Sequence, residues 1–294
     1  MPCYKPLDGY MAIGGGFTSR KSESNGTKMS VPCGQCIGCR LERSRQWAVR
    51  CMHEASLYDE NCFLTLTYSP ECLPDNGSLD HGHFQEFMKR LRKAHVGRKI
   101  RFFMCGEYGD ESRRAHYHAI LFNFDFADKV LFRRRGEYST YISSELSDRF
   151  WQKGHCEIGS VTFESAAYVA RYCLKKRTGA DASAHYGFYD SSTGEWLPIK
   201  PEYCQMSRRP GIGHDWFVRF GKEVFPSDEV IVNGHSAKPP RYYEKLLSDA
   251  EPVLLEKVKR RRLLEVNKED NTCDRLRVRE AVARARSNLK KRGV

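Results

Sequence analysis

The sequence lacks the marks of a membrane, exported or ATP-driven protein. No apolar run approaches the ~18 residues of a membrane-spanning helix, and residues 1–28 lack the basic-then-apolar order of a signal peptide. The chain also has no G-x-x-x-x-G-K-[ST] motif for a nucleoside triphosphate. We therefore expect a soluble, intracellular protein that has no membrane partner and no ATP-driven motor of its own.

Acidic residues are also comparatively few. The chain has 49 Lys and Arg against 37 Asp and Glu, a formal net charge of +12. Such an excess favours a polyanionic partner such as nucleic acid. Residues 233–241 indicate a linker, and the following residues 241–294 form a predicted helical tail with 16 Lys and Arg against 9 Asp and Glu. The tail cations are either solvated or in contact with nucleic acid.

Twelve cysteines without an export signal favour a reduced compartment, in which clustered thiols are metal ligands or buried hydrophobes. Cys33, Cys36 and Cys39 have C-x-x-C-x-x-C spacing, and the glycines between them allow several sulfurs to converge on one ion. Candidates for a fourth ligand are Cys3 and, in the following helix, Cys51 or His53. A structural Zn²⁺ site is the preferred interpretation, and an iron–sulfur cluster or a metal-free helix start remains open.

Hydrophobic periodicity predicts an α+β fold, a sheet with helices packed on it. The predicted helices span residues 40–58, 80–95, 143–152, 164–176 and 214–224. The predicted strands span residues 61–68, 99–107, 115–122 and 155–163, with a hairpin at 186–199. Loops are predicted at residues 9–27 and 178–184. We divide the chain into a Cys-rich loop plus helix (1–60), a core (61–232), and a linker with a tail (233–294).

A pair of histidines stands inside one of these strands, at His116-Tyr117-His118. Side chains alternate along a strand, so both imidazoles reach one cation while Tyr117 points to the opposite face. Glu107 ends the preceding strand and can add a carboxylate oxygen. Alternatives for this third ligand are Asp110 and Glu111. Carboxylate and imidazole together suit Mg²⁺ or Mn²⁺ with positions left open for phosphate oxygens, whereas two half-buried histidines of an edge strand are the plainer alternative.

Two tyrosines lie four residues apart on a predicted helix, at Tyr168 and Tyr172. This spacing puts both phenols on one face with a rise of about 6 Å between them. Each is followed three residues later by a cation, Arg171 and Lys175 respectively. A free phenol has a pKa near ~10, so a nearby cation and a metal-polarised target would assist it as a nucleophile. An aromatic stripe that packs the helix onto the sheet is the alternative.

The order of these motifs carries more information than any one of them. FLTLTY at 63–68, GEYG at 106–109, HYH at 116–118 and YVARYCLK at 168–175 resemble the three motifs of the HUH endonucleases that initiate rolling-circle replication. The two-tyrosine form resembles the replication initiation proteins of small circular single-stranded-DNA phages. The Met-Pro-Cys start and the CGQCIGC box resemble the gokushovirus branch of the microviruses. The resemblance covers most of residues 1–225.

This resemblance implies an HUH endonuclease fold with an RRM-like core. It implies that His116, His118 and Glu107 hold a divalent ion, Mg²⁺ or Mn²⁺, that polarises the scissile phosphate. Tyr168 or Tyr172 would then attack in line and leave a 3′-hydroxyl and a 5′-phosphotyrosine. The second tyrosine would cut after one round of synthesis and release a rejoined circle.

The resemblance also implies charge neutralisation at the phosphate by Arg171 and Lys175. Single-stranded DNA and a phage origin would be the substrate, host helicase and polymerase the partners, and the host cytoplasm the location. The residues expected to contact DNA are Arg113, Arg114, Lys176, Arg208 and Arg209. Arg208 and Arg209 belong to a basic turn at 206–213, which could contact DNA phosphates. A solvated basic loop is the alternative interpretation of this turn. Alternative functions are an HUH transposase or relaxase, and a noncatalytic zinc- and DNA-binding protein.

Overall fold

The computed structural model describes residues 3–109, 112–172, 182–190, 192–232, 234–267 and 269–291, without the side chains of Tyr172, Ser183, Lys290 and Lys291. The chain forms two compact units, Met1–Arg45 with Pro252–Val294, and Gln46–Glu251. The domain boundaries expected after residues 60 and 232 stay a prediction. Within the described ranges, no helix is long and apolar enough to cross a membrane.

The strands and helices are as follows, in chain order. The strands are β1 Leu7–Ala12, β2 Phe17–Thr18, β3 Ser24–Val31, β4 Asn61–Thr67, β5 Arg101–Tyr108, β6 Ala115–Phe122, β7 Val130–Arg135, β8 Tyr138–Ile142, β9 Cys156–Gly159, β10 Gly187–Tyr189, β11 Trp196–Pro198, β12 Tyr203–Met206, β13 Val230–Val232 and β14 His235–Ala237. The helices are α1 Ile37–Ala55, α2 His81–Ala94, α3 Phe163–Tyr172, α4 Ala182–His185, α5 His214–Ser227, α6 Arg241–Ala250, α7 Pro252–Leu264 and α8 Cys273–Lys291. A π-helical segment spans Glu145–Trp151.

A seven-stranded antiparallel sheet organises the second unit, in the order β12-β5-β6-β4-β9-β8-β7. Strand β4 lies at its centre, as its continuous apolar sequence predicts. Strands β5 and β6 form the predicted hairpin, in a register that pairs Glu107 with His116 and Arg101 with Phe122. The predicted α+β class, an antiparallel sheet with helices packed on it, is confirmed.

Each face of this sheet has its own core, because residues alternate between faces along every strand. One face carries Leu64, Leu66 and Tyr117 and packs against α2 and the π-helical segment. The other carries Phe103 and Ile120 and packs against α1 and α3. The ends of β5 and β6 on this second face hold the candidate metal ligands.

Parts of three segments predicted as loops or as a linker form regular structure. Residues 9–27 contain most of β1, strand β2 and the start of β3, a small antiparallel sheet of exposed and half-buried residues in the first unit. Its strands lack the apolar alternation that signals a strand, and backbone pairing alone defines them. The predicted linker at 233–241 contains β14, which pairs with β13 in a hairpin. The predicted loop at 178–184 ends in the short helix α4, and its residues 178–181 lie outside the described part of the chain.

The remaining predicted elements agree with the structure to within a few residues, and strands β7, β8, β12 and β13 were not predicted. The hairpin expected at 186–199 is β10–β11, and the helical tail consists of α6, α7 and α8. The helix expected at 143–152 is present as the π-helical segment. Helix α3 is described to Tyr172, and the predicted continuation at 173–176 lies outside the described residues.

Candidate metal centre and nucleophile

The β5–β6 hairpin brings a carboxylate and two imidazoles to one point. Glu107 pairs directly with His116 across the two strands, and His118 lies two residues further along the same face. Oε1 of Glu107 is 2.7 Å from Nε2 of His116 and 3.1 Å from Nε2 of His118. One ligand atom from each of the three residues lies within 4.8 Å of the others. The structure therefore brings together the three residues that the sequence predicts as metal ligands.

The outer nitrogen of each imidazole has a partner that orients the ring. Nδ1 of His116 lies 3.0 Å from the carbonyl oxygen of Arg114, and Nδ1 of His118 lies 3.1 Å from Oγ1 of Thr65. A carbonyl oxygen only accepts, so Nδ1 of His116 donates and a neutral ring has its lone pair on Nε2. Partners of this kind fix the ligand tautomer in metal sites.

The donor set fits a divalent cation. Glu107 is 2% exposed, and its Oε2 has no hydrogen-bond partner among the described residues. A buried unsatisfied acceptor is costly, and the Nε2 lone pair of a neutral His116 repels the carboxylate oxygen that faces it unless a cation lies between them. One carboxylate with two imidazoles is a mixed ligand set that accommodates several divalent metals. The geometry is thus compatible with metal binding.

Helix α3 presents a tyrosine to this group. Thr162 and Ser165 cap the start of the helix reciprocally, each backbone N–H donating to the hydroxyl of the other, at 2.9 and 3.1 Å. Ala166 and Val169 pack onto the sheet. The half-buried ring of Tyr168 then stands edge-on to the His118 ring, with centroids 5.0 Å apart and planes at 83°. A phenol is thereby held beside the candidate ligands.

The other predicted members of this site are less defined. Tyr172 ends α3, and its side chain lies outside the described residues, as do Lys175 and Lys176. Arg171 is exposed in the last turn of the helix. The fallback ligands Asp110 and Glu111 also lie outside the described part of the chain.

Tyr117 points to the opposite face, as its position between the histidines predicts. Its hydroxyl donates to the carbonyl oxygen of Asp80 at 2.7 Å and accepts from the Asp80 N–H at 3.0 Å. Asp80 in turn caps α2 by accepting from the N–H of Gly82 at 2.9 Å. Burial raises the pKa of Tyr117 to about 12. Tyr117 therefore anchors the start of α2 and is not one of the candidate metal ligands.

Four cysteines form a second group, in the first unit. One sulfur from each of Cys3, Cys33, Cys36 and Cys39 lies within 4.8 Å of the others. Backbone N–H groups donate to three of them, Tyr4 to Cys36, Cys33 to Cys3, and Cys36 to Cys33, each at 3.3 Å. Burial opposes ionisation of Cys36, but hydrogen bonds outweigh it and lower the pKa to about 6. Four convergent sulfurs with N–H donors are compatible with a tetrathiolate metal site.

The alternative fourth ligands have other partners. Cys51 is fully buried against the second face of the large sheet. His53 stacks on Trp216 and its Nδ1 lies 2.8 Å from the hydroxyl of Tyr243. The sulfur of Cys3 is therefore the one that completes the group.

Known proteins resemble this chain closely enough to show its family. The family model for replication-associated protein ORF2/G2P matches residues 61–177, which include Glu107, both histidines and both tyrosines. Replication-associated protein VP4 of Bdellovibrio phage phiMH2K is 35% identical over 256 residues, 83% of this chain and 76% of its own. Replication-associated protein ORF2 of Spiroplasma virus 4 is 32% identical over 280 residues, 83% of this chain and 80% of its own.

The chain belongs to the phage replication-associated protein family. The resemblance identified from the motifs is confirmed at this level. No solved structure matches the chain.

The predicted DNA-contacting arginines of this replication-associated protein fall into two places. Arg113 and Arg114 precede β6 beside the metal group, where Arg114 donates to the carbonyl oxygen of Tyr68 at 2.8 Å. Arg208 and Arg209 are exposed in the turn after β12. Since Met206 pairs with Phe103, this turn lies at the end of β5 opposite to Glu107, ~14 Å or more along the strand. The structure does not bring these two pairs together.

Thr65 is the site residue that sequence reasoning missed. It lies in β4 directly opposite His118 and supplies the hydroxyl that orients that ring. The available signal was the alternation of FLTLTY, which puts Thr65 and Thr67 on one face of a central strand. That alternation alone does not distinguish Thr65 from a threonine that is present for its strand-forming shape.

Proposed function

We propose that the protein initiates rolling-circle replication by cutting one strand of circular phage DNA with a tyrosine nucleophile. The observation that carries this proposal is the Tyr168 ring held against His118 within the Glu107, His116 and His118 group. Membership of the replication-associated family supports the replication role. The adjacency of a phenol and a metal-binding group supports the chemistry.

The reaction assigns one role to each group. Glu107, His116 and His118 would hold Mg²⁺ or Mn²⁺, which when bound supplies Lewis-acid polarisation of the scissile phosphate. Tyr168 Oη attacks phosphorus in line and loses its proton to solvent. The bond from phosphorus to the 3′-oxygen breaks, and that oxygen takes up a proton. The products are a 3′-hydroxyl and a 5′-phosphotyrosine, and the new ester retains the energy needed for rejoining.

A second cut ends each round. We assign it to Tyr172, which would attack the regenerated origin so that the displaced strand is rejoined as a circle. Arg171 and Lys175 would neutralise charge on the phosphate. Arg113, Arg114, Lys176, Arg208 and Arg209 would contact the DNA backbone. Host helicase and polymerase would complete replication in the host cytoplasm.

A covalent-adduct assay tests this function. Overlapping single-stranded fragments of the circular genome that encodes the chain are incubated with the protein and Mn²⁺, each labelled at its 3′ or its 5′ end. A 5′-phosphotyrosine link predicts that the 3′ label migrates with the protein while the 5′ label is released on a shorter strand. Tyr168→Phe with Tyr172→Phe should abolish the adduct, and Tyr189→Phe, at an exposed position, should leave it unchanged.

The outcomes separate the alternatives. No adduct on any fragment would contradict the enzyme and favour a noncatalytic zinc- and DNA-binding protein. An adduct that survives the double Phe variant would assign the nucleophile elsewhere. With single-stranded transposon ends and plasmid transfer origins added as substrates, cutting confined to them would favour a transposase or relaxase.

We further propose that Cys3, Cys33, Cys36 and Cys39 hold a structural Zn²⁺ that fastens the amino terminus to the start of α1. The N–H donors to three sulfurs support thiolate ligands. Elemental analysis should find one Zn²⁺ per chain, lost in Cys36→Ser and kept in the exposed control Cys273→Ser. Stoichiometric iron would favour a cluster, and neither metal would contradict the site.

A further inference from the structure

One hairpin of the large sheet joins a half-buried strand, β8, to a fully exposed strand, β7. Strands β7 and β8 are joined by Gly136-Glu137, and all six residues of β7 are exposed. β7 is the terminal strand of the sheet, and β8 contacts its neighbour β9 through the pair Tyr141 and Ile158. We call residues 130–142 the β7–β8 arm. Packing of Tyr141 against the core accounts for β8, but packing does not explain the exposed strand β7.

The β7–β8 arm carries an unbalanced positive charge. Arg133, Arg134 and Arg135 are consecutive, and they pair across the ribbon with the neutral residues Thr140, Ser139 and Tyr138. Among the described residues none of the three forms an ion pair, and Glu137 is the one carboxylate in the arm. Alternation puts Arg134 on one face and its two neighbours on the other. Both faces of the ribbon therefore present guanidinium groups.

A second copy of the chain is a poor occupant for this edge. An exposed strand edge invites pairing with another strand, and bulges and charges prevent it. The register of β7 shifts between Leu131 and Arg133, which is such a bulge, and the three arginines of two copies would repel. Leu131 (59%) and Tyr138 (66%) remain exposed on the ribbon. The positive charge of the arm instead favours a polyanionic partner, and the exposed Leu131 and Tyr138 require that this partner also has an apolar surface.

We propose that the β7–β8 arm binds double-stranded DNA beside the cut site, with its arginines on phosphates. The proposal rests on the proposed function, which requires a single strand at Tyr168. Strand β6 is separated from β7 by β4, β9 and β8, so four strand spacings put the arm about 19 Å across the sheet from the histidines. That span equals about six base pairs, and a two-stranded ribbon is of a size that the major groove admits.

Substitution of the three arginines by Gln (Arg133→Gln, Arg134→Gln and Arg135→Gln together) tests the arm. The matched control removes three exposed lysines of helices α2 and α5 with the same change of charge, Lys89→Gln, Lys93→Gln and Lys222→Gln. Anisotropy measures binding to a duplex, a single strand of the same sequence, and a duplex with a single-stranded tail, over a range of salt. Adduct formation on single strands is measured in parallel.

We expect the arm variant to bind duplex and tailed duplex at least tenfold more weakly at low salt. Its slope of log K against log salt should fall by about 2.7, from three lost phosphate contacts. Single-strand binding, adduct formation and Mn²⁺ binding should stay unchanged, which also shows that the variant folds. The control should keep its duplex affinity within about twofold, since its charges lie elsewhere.

Three results would overturn the arm as a duplex contact. They are unchanged duplex affinity and slope, an equal loss in the control, and a loss confined to single strands. A dimer in sedimentation that the variant abolishes, with duplex affinity unchanged, would assign the arm to a second copy. If no adduct forms but the arm variant loses the expected salt slope in duplex binding, the proposed enzyme activity is contradicted. The duplex contact of the arm is then still supported.

Discussion

At the scale of single residues, burial of the Glu107 carboxylate destabilises the metal-free fold but favours metal binding. Its carboxylate is almost fully buried, and Oε2 has no partner among the described residues. Leaving a buried acceptor unsatisfied costs about 1–3 kcal/mol. A cation at the convergence of Glu107, His116 and His118 would remove that cost. Folding of the metal-free chain therefore gains little from this residue, and metal binding gains much.

The free energy of unfolding should depend on Mn²⁺ through Glu107. Mn²⁺ at ~100 times its Kd should raise the free energy of unfolding by about 2.7 kcal/mol, since it binds the folded state. Glu107→Ala should abolish this increase in denaturant titrations and also abolish metal-dependent cleavage. The exposed Glu71→Ala should keep it. A full Mn²⁺ effect in Glu107→Ala would move the third ligand to Asp110 or Glu111.

Thr65 should act on metal affinity through His118. Thr65→Val removes the hydroxyl that lies 3.1 Å from Nδ1 of His118 and keeps the shape of the side chain. Losing such a partner weakens metal binding about 10–100-fold. Calorimetry with Mn²⁺ should show this loss, and Thr65→Ser should restore most of the affinity. Equal affinity in Thr65→Val would mean that packing against Phe63 alone orients the ring.

The ligand residues could be predicted because strand alternation and chain order fix them. His116, Tyr117 and His118 need no tertiary information once the strand is recognised, and the hairpin register follows from a short connection. Thr65 could not be predicted, because threonine is common in strands for its shape alone. Its role depends on which strand lies next to β6, and that is a property of the sheet order.

At the scale of elements, the β5–β6 hairpin separates two tasks by face. One face holds the candidate ligands, and the other anchors α2 through the hydroxyl of Tyr117, which bonds both backbone groups of Asp80. Strands β5 and β6 were predictable in type and position because their sequences are rich in apolar residues. Strands β1 to β3 and the β7–β8 arm were not, because exposed residues give no periodic apolar signal.

Tyr117→Phe should separate the two faces by experiment. It removes the hydroxyl partner of the Asp80 N–H, whereas the Asp80 carbonyl oxygen keeps the N–H of His83 at 3.3 Å. The lost partner costs about 1–3 kcal/mol of unfolding free energy. Urea titrations should show this loss, while calorimetry should find Mn²⁺ affinity unchanged. Tyr138→Phe, on an exposed side chain, should alter neither quantity. A fall in Mn²⁺ affinity comparable to that of Thr65→Val would mean that the two faces are coupled.

At the scale of the whole molecule, one buried histidine should make the unit Gln46–Glu251 sensitive to acid. The His53 ring stacks on Trp216 with centroids 3.5 Å apart, and Nδ1 lies 2.8 Å from the hydroxyl of Tyr243. Burial disfavours the charged ring and lowers its pKa from 6.5 to about 4. In the unfolded chain the same group titrates near its ordinary value.

The sign follows from proton counting. Between about pH 6.5 and pH 4 the unfolded chain binds a proton at His53 that the folded chain does not, so unfolding becomes easier as the pH falls through this window. The full difference is about 3 kcal/mol at 1.36 kcal/mol per pH unit. Urea titrations across the window should show it. His53→Gln should lose most of this slope, because an amide does not titrate, and the more exposed His155→Gln should retain it. An undiminished slope in His53→Gln would assign the acid sensitivity to other groups, with His81 and His83, whose pKa values burial also lowers, the first to test.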